Sequence, residues 1–180
     1  MRDIQMVDLK GQYKNIKTEI DQAIAEVIDS TAFINGPPVK QFAGNMEKAM
    51  DVNHVIPCGN GTDALQVALM ALDLKPGDEV ITSTFTFIAT AEVIALLQLK
   101  PVLVDIDPDT FNIDPSKIEE ALTARTRVII PVHLFGQCAD MDRIMELARE
   151  HELAVVEDSC QAIGADAYSN NKDRHTKAGT

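Results

Sequence analysis

Apolar residues recur along the chain at two different spacings, and the first of these is helical. Between residues 16 and 28 they return every three or four positions, while charged residues occupy the other faces. This pattern predicts an amphipathic helix that ends near Ser30. Gly36 and the two prolines after it break helices and set turns, so a second helix is predicted over residues 39–50.

From residue 54 onward, short apolar runs alternate with longer helical patterns. Strands are predicted at residues 54–57, 79–82, 101–104, 127–132 and 153–156, and helices at 63–74, 89–98, 115–122 and 141–151. Near-continuous apolar strands that alternate with helices are typical of parallel βαβ units. We therefore predict one α/β domain with a mostly parallel sheet, in which ligands bind at the carboxyl ends of the strands.

Charge and hydropathy narrow the class of protein. The chain has 180 residues and a formal net charge of −12, so it lacks the cationic surface with which sequence-independent nucleic-acid binders displace counterions. The N-terminus has no long apolar core of a signal peptide, and no segment approaches the roughly 20 apolar residues that span a bilayer. We expect a cytoplasmic protein that binds neither nucleic acid nor membrane.

The cysteines and His133 do not show the spacing of a metal site. Cys58, Cys138 and Cys160 fit neither an even disulfide framework nor a CxxC pair. Reduced, structural cysteines are expected, because free cysteine is often a small core residue. His133 stands without a metal-ligand partner or an evident nucleophile, which favours a hydrogen-bonded histidine at a strand end. No metal is predicted.

The segment at residues 58–65 follows a predicted strand and opens a predicted helix. Its glycines allow a sharp turn, and the first amides of the helix suit a phosphate. Thr62 could add a hydroxyl. An ordinary strand–turn–helix with Thr62 or Asp63 as the N-cap explains the segment equally simply. The segment is not a Walker loop and lacks the spacing of a dinucleotide fingerprint.

Asp158 comes where a predicted buried strand ends, so its carboxylate is expected to be partly desolvated. Such a group is costly without a cationic partner, and a protonated pyridine ring is one cation that could serve. Gln161, three residues on, could then reach the phenolic oxygen of such a ring. A helix cap, or a magnesium role for Glu157 and Asp158, is the alternative that spacing alone favours.

Phe87 follows the second predicted strand and could stack on a planar ligand, a contact that contributes about 0.5–1.5 kcal/mol beyond area burial. An aromatic residue at a strand end is more often part of the core. The pattern leaves both interpretations open.

Several motifs occur in a fixed order along the chain: GTDAL at 61–65, GDEVI at 77–81, TFIAT at 86–90, VDIDPDTFNID at 104–114, IIPVHLFGQCADMD at 129–142, and Glu157-Asp158 with Gln161. Together they resemble the DegT/DnrJ/EryC1/StrS family of sugar aminotransferases. The resemblance implies fold type I of the transferases that depend on pyridoxal 5'-phosphate. Its large domain is a three-layer α/β/α structure with a mostly parallel sheet.

The resemblance also implies a role for individual residues. Gly61, Thr62 and Asp63 match the positions that hold the cofactor phosphate. Phe87 matches the aromatic residue over the pyridine ring. Asp158 matches the partner of the ring nitrogen, and Gln161 matches the partner of the phenolic oxygen.

Within the family, the chain most resembles transaminases of UDP-linked 2-acetamido-3-keto-hexuronic acids, which use glutamate as the amino donor in biosynthesis of lipopolysaccharide or other surface glycans. Thr31 and Phe33 match positions that face the sugar nucleotide, whereas Ile163 stands where many relatives have histidine. A homodimer is implied. Two alternatives remain: a dehydratase of the same family that uses pyridoxamine phosphate, and a non-catalytic cofactor-binding fragment.

The resemblance divides the chain into an N-terminal helical segment and arm at 1–53, the first part of the cofactor-binding large domain at 54–166, and a polar connecting hairpin at 167–180. The Schiff-base lysine of relatives falls beyond residue 180, and its place holds histidine in the dehydratases. Lys172 and Lys177 come too early for that role. We therefore expect this segment to be incomplete at its C-terminus and inactive alone.

Overall fold

The computed structural model describes residues 7–169 and 173–180, so Lys172 lies outside the described residues. The chain divides into two compact units, Met1–Pro57 and Cys58–Thr180, which are described separately. None of the helices in the described ranges combines the length and apolar character that crossing a bilayer requires.

The first unit contains two helices, α1 (Leu9–Ser30) and α2 (Pro37–Met50). The helix α1 starts before its apolar pattern does, because Asp8 caps it and accepts a hydrogen bond from the Gly11 N–H at 2.8 Å. Two prolines open α2, where a missing N–H costs no helical hydrogen bond. Both predicted helices are confirmed.

The second unit is a parallel sheet with helices on both faces. Its strands are β1 (Glu79–Ser83), β2 (Lys100–Val104), β3 (Thr126–Ile130) and β4 (Ala154–Val155), and its helices are α3 (Gly61–Met70), α4 (Ala89–Leu96), α5 (Pro115–Ala121) and α6 (Met141–Glu150). The strand order is β2-β1-β3-β4, and every pair in this sheet is parallel. The predicted α/β class with a mostly parallel sheet is confirmed.

Successive residues of the central strands pack into two different hydrophobic clusters. Each cluster includes residues from a different pair of helices, and this arrangement gives the three layers of the α/β/α fold. Val80 of β1 packs in a cluster with residues of α3 and α4, whereas the adjacent Ile81 packs in a cluster with residues of α5 and α6. Val128 and Ile129 of β3 divide in the same way. A strand buried on both faces reads as a continuous apolar run, which is the pattern seen in the sequence.

Two predictions about local structure are wrong. Residues 54–57 form no strand, because a short run ending in Pro57 predicts extended backbone but does not supply a neighbouring strand. Cys58 and Cys160 are exposed and Cys138 is half-buried, so these cysteines are not core residues. The polar C-terminal stretch does form a hairpin, from β5 (Asp166–Ser169) and β6 (Arg174–Lys177).

Candidate cofactor site

A cavity of about 220 Å³ lies beside the carboxyl ends of the central strands. Here the order of the sheet reverses, since β1 pairs with β2 on one side and with β3 on the other. Such switch points are where α/β sheets bind ligands. Five of the predicted cofactor residues line this cavity: Gly61, Thr62, Phe87, Asp158 and Gln161.

The start of α3 is held by a cap that the sequence analysis did not identify. Asn60 is the N-cap residue, and its Oδ1 accepts a hydrogen bond from the Asp63 N–H at 2.9 Å. Its Nδ2 donates to the Asp63 carboxylate at 3.0 Å. The expectation of Thr62 or Asp63 as the cap is therefore wrong. Because the Asp63 side chain turns back to Asn60, it does not line the cavity.

Gly61 lets the start of α3 lie close to the segment that follows β4. A Cβ atom at this position would lie 2.8 Å from the Cys160 Sγ, which is closer than real contacts allow. The first amides of a helix have no acceptor within the helix. The Gly61 and Thr62 N–H groups are therefore the natural donors to an anion at this wall of the cavity.

Asp158 is placed by backbone pairing that continues beyond β3 and β4. The His133 N–H donates to the Asp158 carbonyl at 3.0 Å, and the Asp158 N–H donates to the Pro131 carbonyl at 2.9 Å. The residue is only 8% exposed, as its position at a strand end predicts. This pairing brings its side chain to the cavity wall.

The Asp158 carboxylate is bound by neutral donors. Its Oδ2 accepts from the Thr90 hydroxyl at 3.0 Å, and its Oδ1 accepts from the Cys160 N–H at 3.2 Å. Within residues 7–169 and 173–180, no lysine, arginine or histidine forms an ion pair with it. A buried carboxylate in this condition suits a cationic ligand.

Cys160 also faces this carboxylate. Although Cys160 is exposed as a residue, partial burial of its thiol, followed by the hydrogen bond to Asp158, raises the pKa of the thiol to about 11. The thiol is therefore protonated at neutral pH and can donate to the carboxylate. A thiol in this state is a poor nucleophile, so the structure gives Cys160 a supporting position beside Asp158 rather than a reactive one.

Phe87 and Gln161 line the same cavity. Phe87 is 70% exposed, so it is not the core residue that one interpretation of the sequence favoured. The Gln161 Oε1 accepts from the Phe135 N–H at 3.0 Å. That bond orients the side-chain amide and leaves its NH₂ group as the donor toward a ligand.

His133 is fully buried and hydrogen-bonded through both ring nitrogens, as predicted. Its Nδ1 accepts from the Ala139 N–H at 3.0 Å, so the proton of the neutral ring is on Nε2, which lies 2.8 Å from the Glu157 Oε2. The same Glu157 oxygen accepts from the Gly179 N–H at 2.9 Å. Glu157 and Asp158 therefore have separate partners, which argues against a shared magnesium ion.

The structure gives no support to metal binding elsewhere in its described part. There, no three histidine, cysteine, aspartate or glutamate side chains come together as a metal site would need. A larger cavity of about 550 Å³ lies beside the β5–β6 hairpin, and His133, Glu157 and Lys177 are on its wall. None of the predicted cofactor residues lines it.

The two residues expected to face a sugar nucleotide lie in the first unit. Thr31 ends α1 in the left-handed conformation, with φ of 51°, and its N–H donates to the Ile28 carbonyl. Phe33 is 64% exposed. Their role stays a prediction.

Three polar residues on the cavity wall were not predicted from the sequence: Thr86, Thr90 and Cys160. Thr86 and Thr90 are four residues apart where a helix follows a strand, and this spacing could have marked them as neighbours on one face. No comparable local signal points to Cys160.

Comparison with known proteins identifies the family. The sequence pattern of the DegT/DnrJ/EryC1/StrS aminotransferase family matches residues 14–178. The chain belongs to this family. A pleiotropic regulatory protein of Geobacillus stearothermophilus is 51% identical over 163 residues, which are 91% of this chain and 44% of that protein. UDP-2-acetamido-2-deoxy-3-oxo-D-glucuronate aminotransferase of Pseudomonas aeruginosa is 49% identical over 162 residues, covering 90% of this chain and 45% of that protein.

Solved structures of this family share the fold and show its cofactor. DesV of S. venezuelae superposes with a TM-score of 0.90 at 38% identity, covering 99% of this chain and 47% of that chain. NtdA of Bacillus subtilis, solved with bound pyridoxamine phosphate, superposes with a TM-score of 0.83 at 40% identity, covering 91% and 38%. The family depends on pyridoxal phosphate. The chain spans about half the length of these relatives.

Proposed function

We propose that the full-length protein is a pyridoxal-phosphate-dependent aminotransferase that moves an amino group from glutamate to a UDP-linked 3-keto sugar. The observation that carries this proposal is the Asp158 carboxylate, which is almost buried, lines a cavity and has no cationic partner among the described residues. A protonated pyridine nitrogen is the cation that this family's cofactor would bring to it.

Each wall of the cavity fits one part of the cofactor. Asp158 would keep the ring nitrogen protonated by accepting its N–H. The first amides of α3, at Gly61 and Thr62, would hold the phosphate, and Phe87 would lie against the ring. The Gln161 NH₂ group would donate to the phenolic oxygen.

The bound cofactor supplies an electron sink and carries the amino group between donor and acceptor. The described residues do not take that group up themselves. The residues of the cavity would bind the cofactor, orient its ring and hold one proton at its nitrogen. The Asp63 side chain contributes indirectly, because it supports the cap that fixes the start of α3.

The choice of sugar follows two relatives with related substrates in their names. One is the Pseudomonas enzyme, and the other is UDP-N-acetyl-3-dehydro-α-D-glucosamine 3-aminotransferase of Acidithiobacillus ferrooxidans, 46% identical over 162 residues. Both names describe UDP-linked sugars with a ketone at C3. We include in the proposal a homodimer, sugar-nucleotide contacts at Thr31 and Phe33, and a place in the synthesis of surface glycans.

The test uses the full-length protein, pyridoxal phosphate, glutamate and a UDP-linked 3-keto sugar. We expect 2-oxoglutarate and the UDP-linked 3-amino sugar to form in equal amounts, because transamination exchanges an amino group for a carbonyl oxygen without other change. Mass spectrometry of the sugar and an assay for 2-oxoglutarate measure the two products. Omitting the ketone is the control.

Three other outcomes would contradict the proposal. Loss of water from the keto sugar would identify a dehydratase, the activity named for a relative from E. coli at 30% identity. Turnover of glutamate only with dTDP- or GDP-linked ketones would overturn the choice of nucleotide. Cofactor binding without any ketone-dependent turnover of glutamate would reject the aminotransferase itself and favour a binding or regulatory module.

A further inference from the structure

The Thr90 side chain has a buried hydroxyl group, and none of the roles proposed above is assigned to it. It lies in the first turn of α4 and is fully buried. Its Oγ1 lies 3.0 Å from the Asp158 Oδ2, across 68 positions of sequence. The two side chains also line the same cavity.

The chemistry of the two groups sets the direction of this hydrogen bond. An ionised carboxylate can only accept, so the Thr90 hydroxyl donates to it. The Thr90 oxygen can then accept from the Thr86 hydroxyl, which lies 3.4 Å away. The Thr86 hydroxyl therefore donates to the Thr90 hydroxyl, which in turn donates to the Asp158 Oδ2.

The other carboxylate oxygen is held as well. The Asp158 Oδ1 accepts from the Cys160 N–H at 3.2 Å. The Thr90 hydroxyl and the Cys160 N–H therefore hold the two carboxylate oxygens from two elements, α4 and the segment after β4, and the Cys160 thiol is a further neutral donor to this carboxylate. These donors are all neutral, so none supplies a charge that compensates the carboxylate.

We propose that Thr90 is a positioning residue, whose hydroxyl holds the Asp158 carboxylate oriented toward the ring nitrogen of the bound cofactor. This inference rests on the proposed role of Asp158. Without the Thr90 hydroxyl, Oδ2 loses this donor in a buried place, and the carboxylate is held only from the Cys160 side. Its interaction with the ring nitrogen should then weaken.

The experiment compares Thr90→Val, Thr90→Ser and Thr82→Val in the full-length protein. Valine has nearly the shape of threonine but no hydroxyl, whereas serine keeps the hydroxyl. Thr82 is the matched control, because it is also fully buried and donates to the Ile130 carbonyl at 2.9 Å, but it does not line the cavity. Thr90→Ala replaces Thr90→Val if the latter does not fold.

Two readouts other than activity follow the cofactor: the dissociation constant of pyridoxamine 5'-phosphate, and the ¹⁵N chemical shift of its labelled ring nitrogen. Thr90→Val should weaken binding roughly tenfold, as expected for a lost hydrogen bond to a charged group. It should also move the ring resonance toward the unprotonated form. Thr90→Ser should stay within about twofold of wild type, and Thr82→Val should lower stability without moving either readout.

Asp158→Asn separates failure of this inference from failure of the proposed site. If Asp158→Asn weakens binding and shifts the ring resonance but Thr90→Val changes neither, the inference about Thr90 is wrong. If Asp158→Asn itself changes neither, the assignment of Asp158 fails first. In the Asp158→Asn protein, Thr90→Val should add little, since the charge that it positions is gone.

Discussion

One buried carboxylate lies at the amino end of the strands of the sheet and another at their carboxyl end, and the two have different hydrogen-bond and ion-pair partners. Glu79 opens β1 at the amino end and is 1% exposed. It accepts from the Thr123 hydroxyl, from the Lys100 Nζ at 2.9 Å and from the Arg125 Nη2 at 3.0 Å. The Thr123 hydroxyl, with Lys100 and Arg125, lowers the pKa of Glu79 to about 2. Asp158, at the carboxyl end, has only neutral donors among the described residues.

This difference distinguishes a buried carboxylate whose charge is compensated by the described chain from one whose charge is not. Removing a carboxylate from water is costly, and two cations of the same chain offset that cost at Glu79. Nothing in the described chain offsets it at Asp158, although neutral hydrogen bonds hold the group in place. A site that keeps an uncompensated carboxylate at a strand end, beside a cavity, is suited to a cation that arrives with the ligand.

Asp158→Ala should have the largest effect on activity and a small one on stability. Loss of the group that we propose interacts with the ring nitrogen should lower kcat/KM of the full-length protein by about 10²–10³-fold or more. The free energy of unfolding should change little, because removing a buried charge without a cationic partner offsets the loss of the acceptor for the Thr90 hydroxyl and the Cys160 N–H. Steady-state kinetics and urea unfolding measure the two quantities. A variant with near-normal kcat/KM and much lower stability would reverse the roles given to the two carboxylates.

Glu79→Gln should show the opposite result. It removes the charge that Lys100 and Arg125 compensate, and we expect the free energy of unfolding to fall by about 1–2 kcal/mol, since both cations are more than half exposed and screened by water. The dissociation constant of pyridoxamine phosphate should not change. Urea unfolding and a binding titration test this, and weaker cofactor binding would show that the two ends of the sheet are coupled.

The dependence of the free energy of unfolding on acidic pH is a second test of the role of Glu79. Its pKa is lowered from 4.5 to about 2 in the folded protein, so the unfolded chain takes up the proton first as the pH falls. The contribution of Glu79 is present above pH 4.5 and is lost as the pH falls from 4.5 toward 2. Stability measured across this window should fall less steeply in Glu79→Gln than in wild type.

Gly61→Ala should have the smallest effect on cofactor binding, and it tests the packing beside Asp158. The added Cβ would lie 2.8 Å from the Cys160 Sγ, so the thiol beside Asp158 has to move. Since this is the end of a small side chain, we expect cofactor binding to weaken only about fivefold, or about 1 kcal/mol. In a Cys160→Ala background, the same substitution should have almost no effect.

Gly44→Ala is the matched control for this prediction. Gly44 lies within α2, and nothing stands within 4 Å of an added Cβ. Alanine favours a helix over glycine by about 1 kcal/mol, so this variant should be slightly more stable with unchanged cofactor binding. An equal loss of binding in Gly61→Ala with and without the Cys160 thiol would show that the contact with Sγ is not the cause.

Most of the secondary structure could be predicted because its signals are local. The apolar runs at β1, β2, β3 and β4 and the periodic stretches of the helices repeat within a few residues. The run at 54–57 carries the same local signal but forms no strand, because a strand also needs a partner, which local pattern does not reveal. The start of α3 was also misplaced, for a different reason: the cap is Asn60 rather than Thr62 or Asp63, and all three are residue types that can cap a helix.

The candidate site was predicted in part. Family resemblance marked Gly61, Thr62, Phe87, Asp158 and Gln161, and the structure brings these five to one cavity. It does not bring the Asp63 side chain there. Thr90 and Cys160 were missed because their importance depends on contact with the Asp158 carboxylate.

The alternation of apolar runs and helices by itself determined a parallel sheet, and hence that the carboxyl ends of the strands share one edge. The sequence also determined that carboxylates follow or open those strands. Only the tertiary structure decided which of them has a cation. Lys100 and Arg125 reach Glu79 across 21 and 46 positions, and Thr90 reaches Asp158 across 68. Charge compensation depends on distance in space, which periodicity along the chain does not encode.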